Sequence, residues 1–350
     1  MTSSRPLRLC GENPNLDKTD LMKLILYNDD FGLTYGLTNA VRESFLNGTT
    51  TCASIRTNGL AFRYAVEEIM PTIPELELGL HVNLSEGPPN ADPSKVPRLI
   101  DRRGYLKRSF LDCYFALRRD KDLLKEIEIE IRAQFEKAAS CGLAFNHVNG
   151  NQHIHMIPSI FNIICQMMND YDMKFIRIPL EPFFVSPSFE DNLYMMRSLN
   201  FLKYFLLRRL SLKALVTMKR YDLRCVGCFV GILNTGRMTV NVVKSAVKRL
   251  EQCGIDAAEV LFHPADIDHK KDIDARGNRI PHYYYLKERR IEKEHLLSLE
   301  LREFLVERGI ELVNHKILQI TNGKSAQNHN GVCPECPLLP PLTLQNLPRN

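Results

Sequence analysis

The sequence predicts an α/β fold, an irregular TIM-like (β/α) barrel of seven to eight parallel strands. Three observations carry that expectation. Short apolar, β-rich runs alternate with stretches of helical period along most of the chain. Strands that alternate with helices pair in parallel, because each crossover helix returns the chain to the same end of the sheet. The number of such units favours a closed or distorted barrel over an open doubly wound sheet. Neither G-x-G-x-x-G after the first strand nor G-x-x-x-x-G-K-[ST] is present, so the phosphate cradle of a nucleotide fold is missing.

The elements follow in order. "LILYND" (24–29) is a short apolar run and reads as a buried strand. "GLTNAVRESFLNG" (36–48) has helical period and closes on Asn47-Gly48. "TCASIRTN" (51–58) is rich in β-formers, "AFRYAVEEIM" (61–70) is helical and stops at Pro71, and "LELGLHVNL" (76–84) is a strand. Residues 85–115 are Pro-rich and read as an irregular insertion. "KDLLKEIEIEIRAQFEKAASCG" (121–142) is a helix with a Gly stop, and "AFNHVNGN" (144–151) is the next strand. "PSIFNIICQMMNDY" (158–171) is a helix with Pro in its first turn, followed by the strand "KFIRIPL" (174–180). Residues 181–220 break the rhythm with a Pro/Phe-rich loop and an apolar, basic helix. The alternation resumes with strand "CVGCFVGI" (225–232), helix 239–254, strand "AEVLFHPA" (258–265), a polar loop, a long helix over 285–309 and a last strand "IELVNH" (310–315).

This gives a flexible arm over 1–22, one barrel domain over 23–320 with inserted segments near 85–115 and 181–220, and a disordered Asn/Pro-rich tail over 321–350. The net charge of +5 is mild, and no dense basic stripe marks a nucleic-acid binder. "KDIDARGNR" and "LKERRIEKEH" read as solvated, charged surface. Ten irregularly spaced cysteines, several inside apolar runs, suit buried thiols in a reducing compartment better than a disulfide framework. The C-x-x-C pairs Cys225/Cys228 and Cys333/Cys336 each lack a second pair at zinc-finger spacing. The first twenty residues hold no apolar core of a secretory signal, and no run of ~18 apolar residues suggests a membrane span. The expected location is cytoplasmic. The 181–220 helix leaves several readings open: ordinary packing, a lid, a homodimer surface or a membrane-surface contact.

Chemistry in such a barrel sits at the C-terminal strand ends. There the sequence places Asp29 and Asp30, then His81, then "NHVNGNQHIH", then Arg177, then His263. Each motif alone has an ordinary explanation, as an Asx turn, a core histidine or a strand cap. Two carboxylates and several histidines at one rim point instead to an acid/base or metal-dependent site. Asp29 and Asp30 face opposite ways on a regular strand, so a turn at the strand end has to bring them together.

"YNDDFGLTYGLTNAVRESFLNGTTTCASIRTNG", "LGLHVNLSEG", "FNHVNGNQHIHMIP", "FIRIPLE" and "LFHPA", in that order, resemble the YdjC-like carbohydrate deacetylase family. The resemblance implies an irregular (β/α) barrel that removes N-acetyl groups from amino sugars in oligosaccharides. It implies Mg²⁺ or another divalent cation held by Asp30, His81 and position 151, with Asp29 as proton acceptor. His263 matches a histidine near the leaving group, and Arg177 resembles an arginine that orients a carboxylate or binds substrate. The implied partner is an N-acetylated oligosaccharide.

The fourth-strand motif departs from the family pattern. Where the pattern carries Asp and a metal-binding His, this chain has Asn149 and Asn151. An amide oxygen is a neutral, hard ligand that suits Mg²⁺ or Ca²⁺ and serves zinc poorly. His153 or His155 is a substitute nitrogen if the strand continues past residue 152. The departures leave an alternative: a catalytically weakened homologue that binds carbohydrate or a protein partner. A phosphoesterase on the same barrel is a further alternative, with few rim cations to support it.

Overall fold

A computed structural model describes residues 21–266, 271–272 and 287–322. Of the expected arm over 1–22 and tail over 321–350, residues 1–20 and 323–350, with Cys333 and Cys336, lie outside the described residues. The strands are β1 (Lys23–Phe31), β2 (Cys52–Ile55), β3 (Glu77–Val82), β4 (Phe145–Gly150), β5 (Phe175–Ile176), β6 (Cys228–Val230), β7 (Ala257–Phe262) and β8 (Glu311–Leu312). All their pairings are parallel, and the sheet order β5-β4-β3-β2-β1-β7-β6 is chain order taken round a ring. The α/β barrel expected from the alternation is therefore the fold.

Its irregularity lies between β5 and β6. No regular ladder joins them, because Pro179 and Pro182 cannot donate to one. The expected strand over 174–180 thus shrinks to Phe175–Ile176. Three backbone bonds cross the gap instead. Ile176 N–H donates to Arg224 O (2.9 Å), Arg224 N–H to Lys174 O (2.8 Å) and Phe229 N–H to Leu180 O (3.1 Å). β8 is no stave. It lies on the β2 side of β1, below β2: Val313 N–H and Thr51 N–H donate to Leu24 O and Leu26 O, both at 3.0 Å.

The run Leu24–Tyr27 is fully buried on both faces, as a strand between a filled barrel and a helical shell must be. Leu24 and Leu26 pack outward with the helix Val240–Gln252, while Ile25 and Tyr27 face the interior with Leu80 and Val148. Asp29 continues the interior row two residues above Tyr27.

Several elements differ from the sequence expectation. The helix expected over 61–70 is a short turn, Phe62–Tyr64, that widens into a π-turn over Ala65–Ile69. The 85–115 segment holds a helix, Phe110–Ala116, closed by a Ser109/Asp112 capping box. The long helix over 285–309 is two, Lys287–Leu296 and Leu299–Glu307. Ser298 caps the second by accepting from Leu301 N–H at 3.2 Å. The last strand ends early and a helix, His315–Asn322, begins within it. In the 181–220 segment the helix Asn200–Arg220 buries Tyr204, Leu207, Leu210, Ala214 and Met218, and leaves Leu202, Phe205, Leu212 and Val216 exposed. No helix among the described residues is long and apolar enough to cross a membrane.

Candidate active site

The site begins with a break in β1. Asn28 pairs with Ala53 and Phe31 with Ile55, so Asp29 and Asp30 together oppose the single residue Ser54. This is a β-bulge. Asp30 adopts φ 67°, a left-handed conformation that Asp tolerates better than most side chains. The bulge turns both carboxylates toward one rim, where a regular strand would have separated them.

Asp29 is held on every side. Ser54 Oγ–H (3.1 Å) and Asn149 Nδ2–H (2.8 Å) donate to its Oδ1, and Arg177 Nη1 donates to its Oδ2 at 2.9 Å. Burial alone raises the Asp29 carboxyl, but Arg177 and then His81 bring it well below the usual range. Arg177 sits beneath the carboxylate over the Tyr27 ring, with its Nε on Glu259 Oε1 at 2.6 Å. It touches the base of the site, and the guanidinium that lines the pocket is Arg289.

Asn149 explains its own place in this network. Its amide nitrogen donates to Asp29, and its Oδ1 lies 2.7 Å from His81 Nδ1. A carboxylate there would have faced Asp29 with like charge. The same contact, with Ser54 Oγ at 3.1 Å, assigns the His81 proton to Nδ1 and turns the Nε2 lone pair toward Asp30 Oδ1, 3.6 Å away. Burial outweighs the pull of the Asp29 and Asp30 carboxylates and holds the His81 imidazole below its ordinary value.

The donors expected around a cation are only partly assembled. Asp30 forms an ion pair through Oδ1 with Arg56 Nε (2.8 Å) and accepts a hydrogen bond from Arg289 Nη2 on Oδ2 (2.9 Å). Burial raises the Asp30 carboxyl, but these two guanidiniums outweigh it and hold the carboxyl far below its usual range. Asn151 donates through Nδ2 to Ser85 Oγ (2.6 Å), Glu86 Oε1 (3.2 Å) and Asn83 Oδ1 (3.3 Å). Asn83 is itself pinned by Gln134, which clasps its backbone N–H (3.0 Å) and C=O (2.6 Å). Asp30 thus already carries two cationic partners, and the third ligand position holds a neutral amide whose nitrogen is engaged with Ser85 and Glu86. This donor set does not make a complete site for Mg²⁺ or zinc.

Neither substitute histidine completes it. Gln152 and His153 have φ 53° and 58°, so the chain turns sharply after Gly150 and the strand face is lost. His153 reaches the pocket wall, whereas His155 is buried with Nε2 on Arg177 O at 3.0 Å.

His263 stands across the pocket, its Nε2 3.9 Å from Asp29 Oδ2. Glu292 fixes its position by accepting the His263 backbone N–H at 2.5 Å and that of Gly236 at 2.6 Å. Lys203 enters the same pocket from the helix Asn200–Arg220. Burial lowers its ammonium to about 8, against the opposing pull of Asp29 and Glu181. Asp29, Asp30, His81, Asn151 and His263 all line this one cavity, with Lys203 and Arg289.

Sequence reasoning missed Arg56, Lys203, Arg289 and Glu292. "LKERRIEKEH" is not the solvated surface expected, since Arg289 is 5% and Glu292 0% exposed. The signal was there: they lie two turns and one turn before Leu296, which is also buried, so all three share one helical face.

A family model described as YdjC-like protein matches residues 23–307. The carbohydrate deacetylase of Thermoanaerobacter pseudethanolicus is 33% identical over 164 residues, 46% of this chain and 62% of that protein. The carbohydrate deacetylase of Mus musculus is 27% identical over 304 residues, 83% of this chain and 93% of that protein. That of Clostridium beijerinckii is 24% identical over 297 residues, 84% of this chain and 99% of that protein. The matched region thus spans less than two thirds of the first relative and nearly all of the other two. An Enterococcus faecalis crystal structure, provisionally described as a cellobiose-phosphate cleavage protein, superposes with TM-score 0.62 at 21% identity. It covers 85% of this chain and 99% of its own, and shares the barrel fold.

Proposed function

The chain belongs to the YdjC-like family, and from that premise we propose that it is a carbohydrate deacetylase, hydrolysing the N-acetyl group of acetylated amino sugars in oligosaccharides. The observation that carries this reading is the pairing of Asp29 and His263 across one pocket, 3.9 Å apart. The named activity of relatives from bacteria and mouse supports it.

In this reading a water lies between Asp29 and the acetyl carbonyl carbon. Asp29 Oδ2 faces the pocket and takes the water's proton as the new C–O bond forms. Asn149, Ser54 and Arg177 fix the carboxylate's orientation. Negative charge grows on the carbonyl oxygen, and the cationic groups lining the pocket, Lys203 and Arg289, stabilise it. His263 protonates the departing nitrogen as the C–N bond breaks, giving acetate and a free amino sugar. The family resemblance implies Mg²⁺ or a similar cation. The residues around Asp30 and Asn151 do not complete a site for one, so no step is routed through it.

One observation favours a second reading, a weakened homologue that binds the oligosaccharide and turns it over slowly. Two arginines hold Asp30, and Asn151 has no charge to offer a cation. Acetate release from N-acetylglucosamine oligomers, with and without Mg²⁺ or Zn²⁺ and with Asp29→Asn as the blank, decides between them. Release abolished in the blank supports hydrolysis. Calorimetric binding of the oligomer without release supports the second reading, and neither binding nor release sinks both.

A further inference from the structure

The end of the barrel opposite the pocket holds a second cluster of reactive side chains. Cys52 opens β2, Glu77 opens β3, and His315 opens the helix His315–Asn322. These strand starts face away from the rim that carries Asp29. Cys52 is fully buried, Glu77 is 4% and His315 3% exposed. Their donor atoms converge within 4.8 Å of one another. Cys52 Sγ is 3.6 Å from Glu77 Oε1 and 3.7 Å from His315 Nδ1, and that nitrogen is 2.7 Å from the same Oε1.

Tetrahedral zinc, with bonds of roughly 2.0 Å to N and O and 2.3 Å to S, spaces its ligand atoms about 3.3–3.6 Å apart. The thiol–carboxylate distance lies at that spacing and the thiol–imidazole distance just above it. The imidazole–carboxylate distance is that of a hydrogen bond, which an ion would open by about 0.6 Å. His147 is not a further donor: its ring stacks on that of His315, centroids 4.2 Å apart, but its Nδ1 is taken by Asn146 Oδ1 at 2.6 Å and its Nε2 by the Tyr27 hydroxyl at 2.5 Å. Glu77 Oε2 takes the Lys316 backbone N–H at 3.1 Å, which holds the carboxylate in place while Oε1 faces the cluster. Thiol, imidazole and carboxylate together form a donor set for a borderline divalent cation such as Zn²⁺, unlike the oxygen-rich sets that hold Mg²⁺.

We infer that Cys52, Glu77 and His315 bind a zinc-type divalent cation at the base of the barrel, with a water completing the four-coordinate shell. The thiol releases its proton to solvent as the sulfur–metal bond forms. The ion fastens the start of the helix His315–Asn322 to β2 and β3, so its role is structural. The pocket at the other end takes no part, and the inference stands independently of the deacetylase reading.

The full chain, stripped with chelator and titrated with Co²⁺, reads the site directly. A thiolate-to-cobalt charge-transfer band saturating at a single equivalent is expected, together with the strong visible bands of four-coordinate Co²⁺. Zn²⁺ displaces both, and its addition raises the melting temperature of the stripped protein. Cys52→Ser removes the charge-transfer band, and His315→Gln, the second variant should the first fail to fold, weakens it at least tenfold. Asp30→Asn, at the opposite end, leaves it intact. Absence of the band in folded wild-type protein overturns the inference and leaves Glu77 as an ordinary cap of the last helix. A band that survives Cys52→Ser overturns it equally, by placing the thiolate elsewhere.

Discussion

Arg177 Nη1 stands 2.9 Å from Asp29 Oδ2, at the bottom of the pocket and shielded from solvent, while the same guanidinium holds Glu259 at 2.6 Å. One cation therefore balances two buried carboxylates. Burial raises the Glu259 carboxyl even with Arg177 beside it, so the pair is sensitive to losing that charge.

Arg177→Met is expected to destabilise the fold by roughly 3–5 kcal/mol, the usual result of leaving buried carboxylates unpaired. The sign with pH follows from Asp29. Its folded pKa is depressed below the unfolded value, so its contribution is present above about pH 4 and is lost as pH falls. Without Arg177 that depression shrinks, and acid unfolding followed by circular dichroism begins at higher pH. The acid limb of acetate release moves the same way. An acid midpoint equal to wild type would show that Arg177 does not set the Asp29 charge.

Asn151→His places an imidazole where the amide now reaches Ser85 and Glu86. Zn²⁺ affinity at the upper site is expected to rise at least tenfold, about 1.4 kcal/mol. Calorimetry on a Cys52→Ser background isolates that site from the base. Unchanged affinity would assign the obstacle to Arg56 and Arg289 on Asp30 rather than to the missing ligand.

Much of this site was legible because it depends on local order. Asp29, Asp30, His81 and His263 follow strands whose apolar runs are read directly, so their convergence at one rim follows from parallel topology. Groups that act through distant contacts were not legible. Arg56 sits just past β2, yet nothing nearby in sequence shows that it bridges Asp30 and Glu86. Arg289 lies 259 residues from the carboxylate it holds. Charged positions on a helix look solvated unless the opposing surface is known. The turn at Gln152 and His153 was hidden too, because nothing short of the tertiary packing forces two non-glycine residues into left-handed backbone. Cys52, Glu77 and His315 come from three separate elements, and no spacing rule joins them.

Lys203→Met tests whether the inserted helix belongs to the site. Loss of one pocket cation facing the oxyanion is expected to lower kcat on the order of 10²-fold, with little change in melting temperature near neutral pH. The ammonium titrates near 8, so its contribution to turnover is present below that pH and fades above it. Between about 8 and 10.4 the unfolded chain holds this proton longer than the folded one, so Lys203 makes stability rise with pH there. The Met variant should lose both the alkaline fall in turnover and the rise in stability. A wild-type kcat, or an alkaline limb that persists in the variant, would place Lys203 outside the reaction.

Gly79→Ala probes the interior beneath the pocket. A Cβ on Gly79 would stand 2.2 Å from Cδ2 and Nε2 of His147, so the imidazole must move or β3 must shift. Moving the ring breaks its 2.5 Å contact with the Tyr27 hydroxyl, and Tyr27 carries Arg177 on its face at 4.4 Å. Overpacking of this kind destabilises by about 1–3 kcal/mol, read as a melting-temperature drop of a few degrees. His147→Ala alone also destabilises, by leaving a cavity and the Tyr27 hydroxyl without its partner. In the double variant the new methyl fills space the ring has vacated, so the combined loss should be smaller than the sum of the two. Strict additivity would mean that Gly79 and His147 do not contend for one volume, because additive effects mark sites that share no contact.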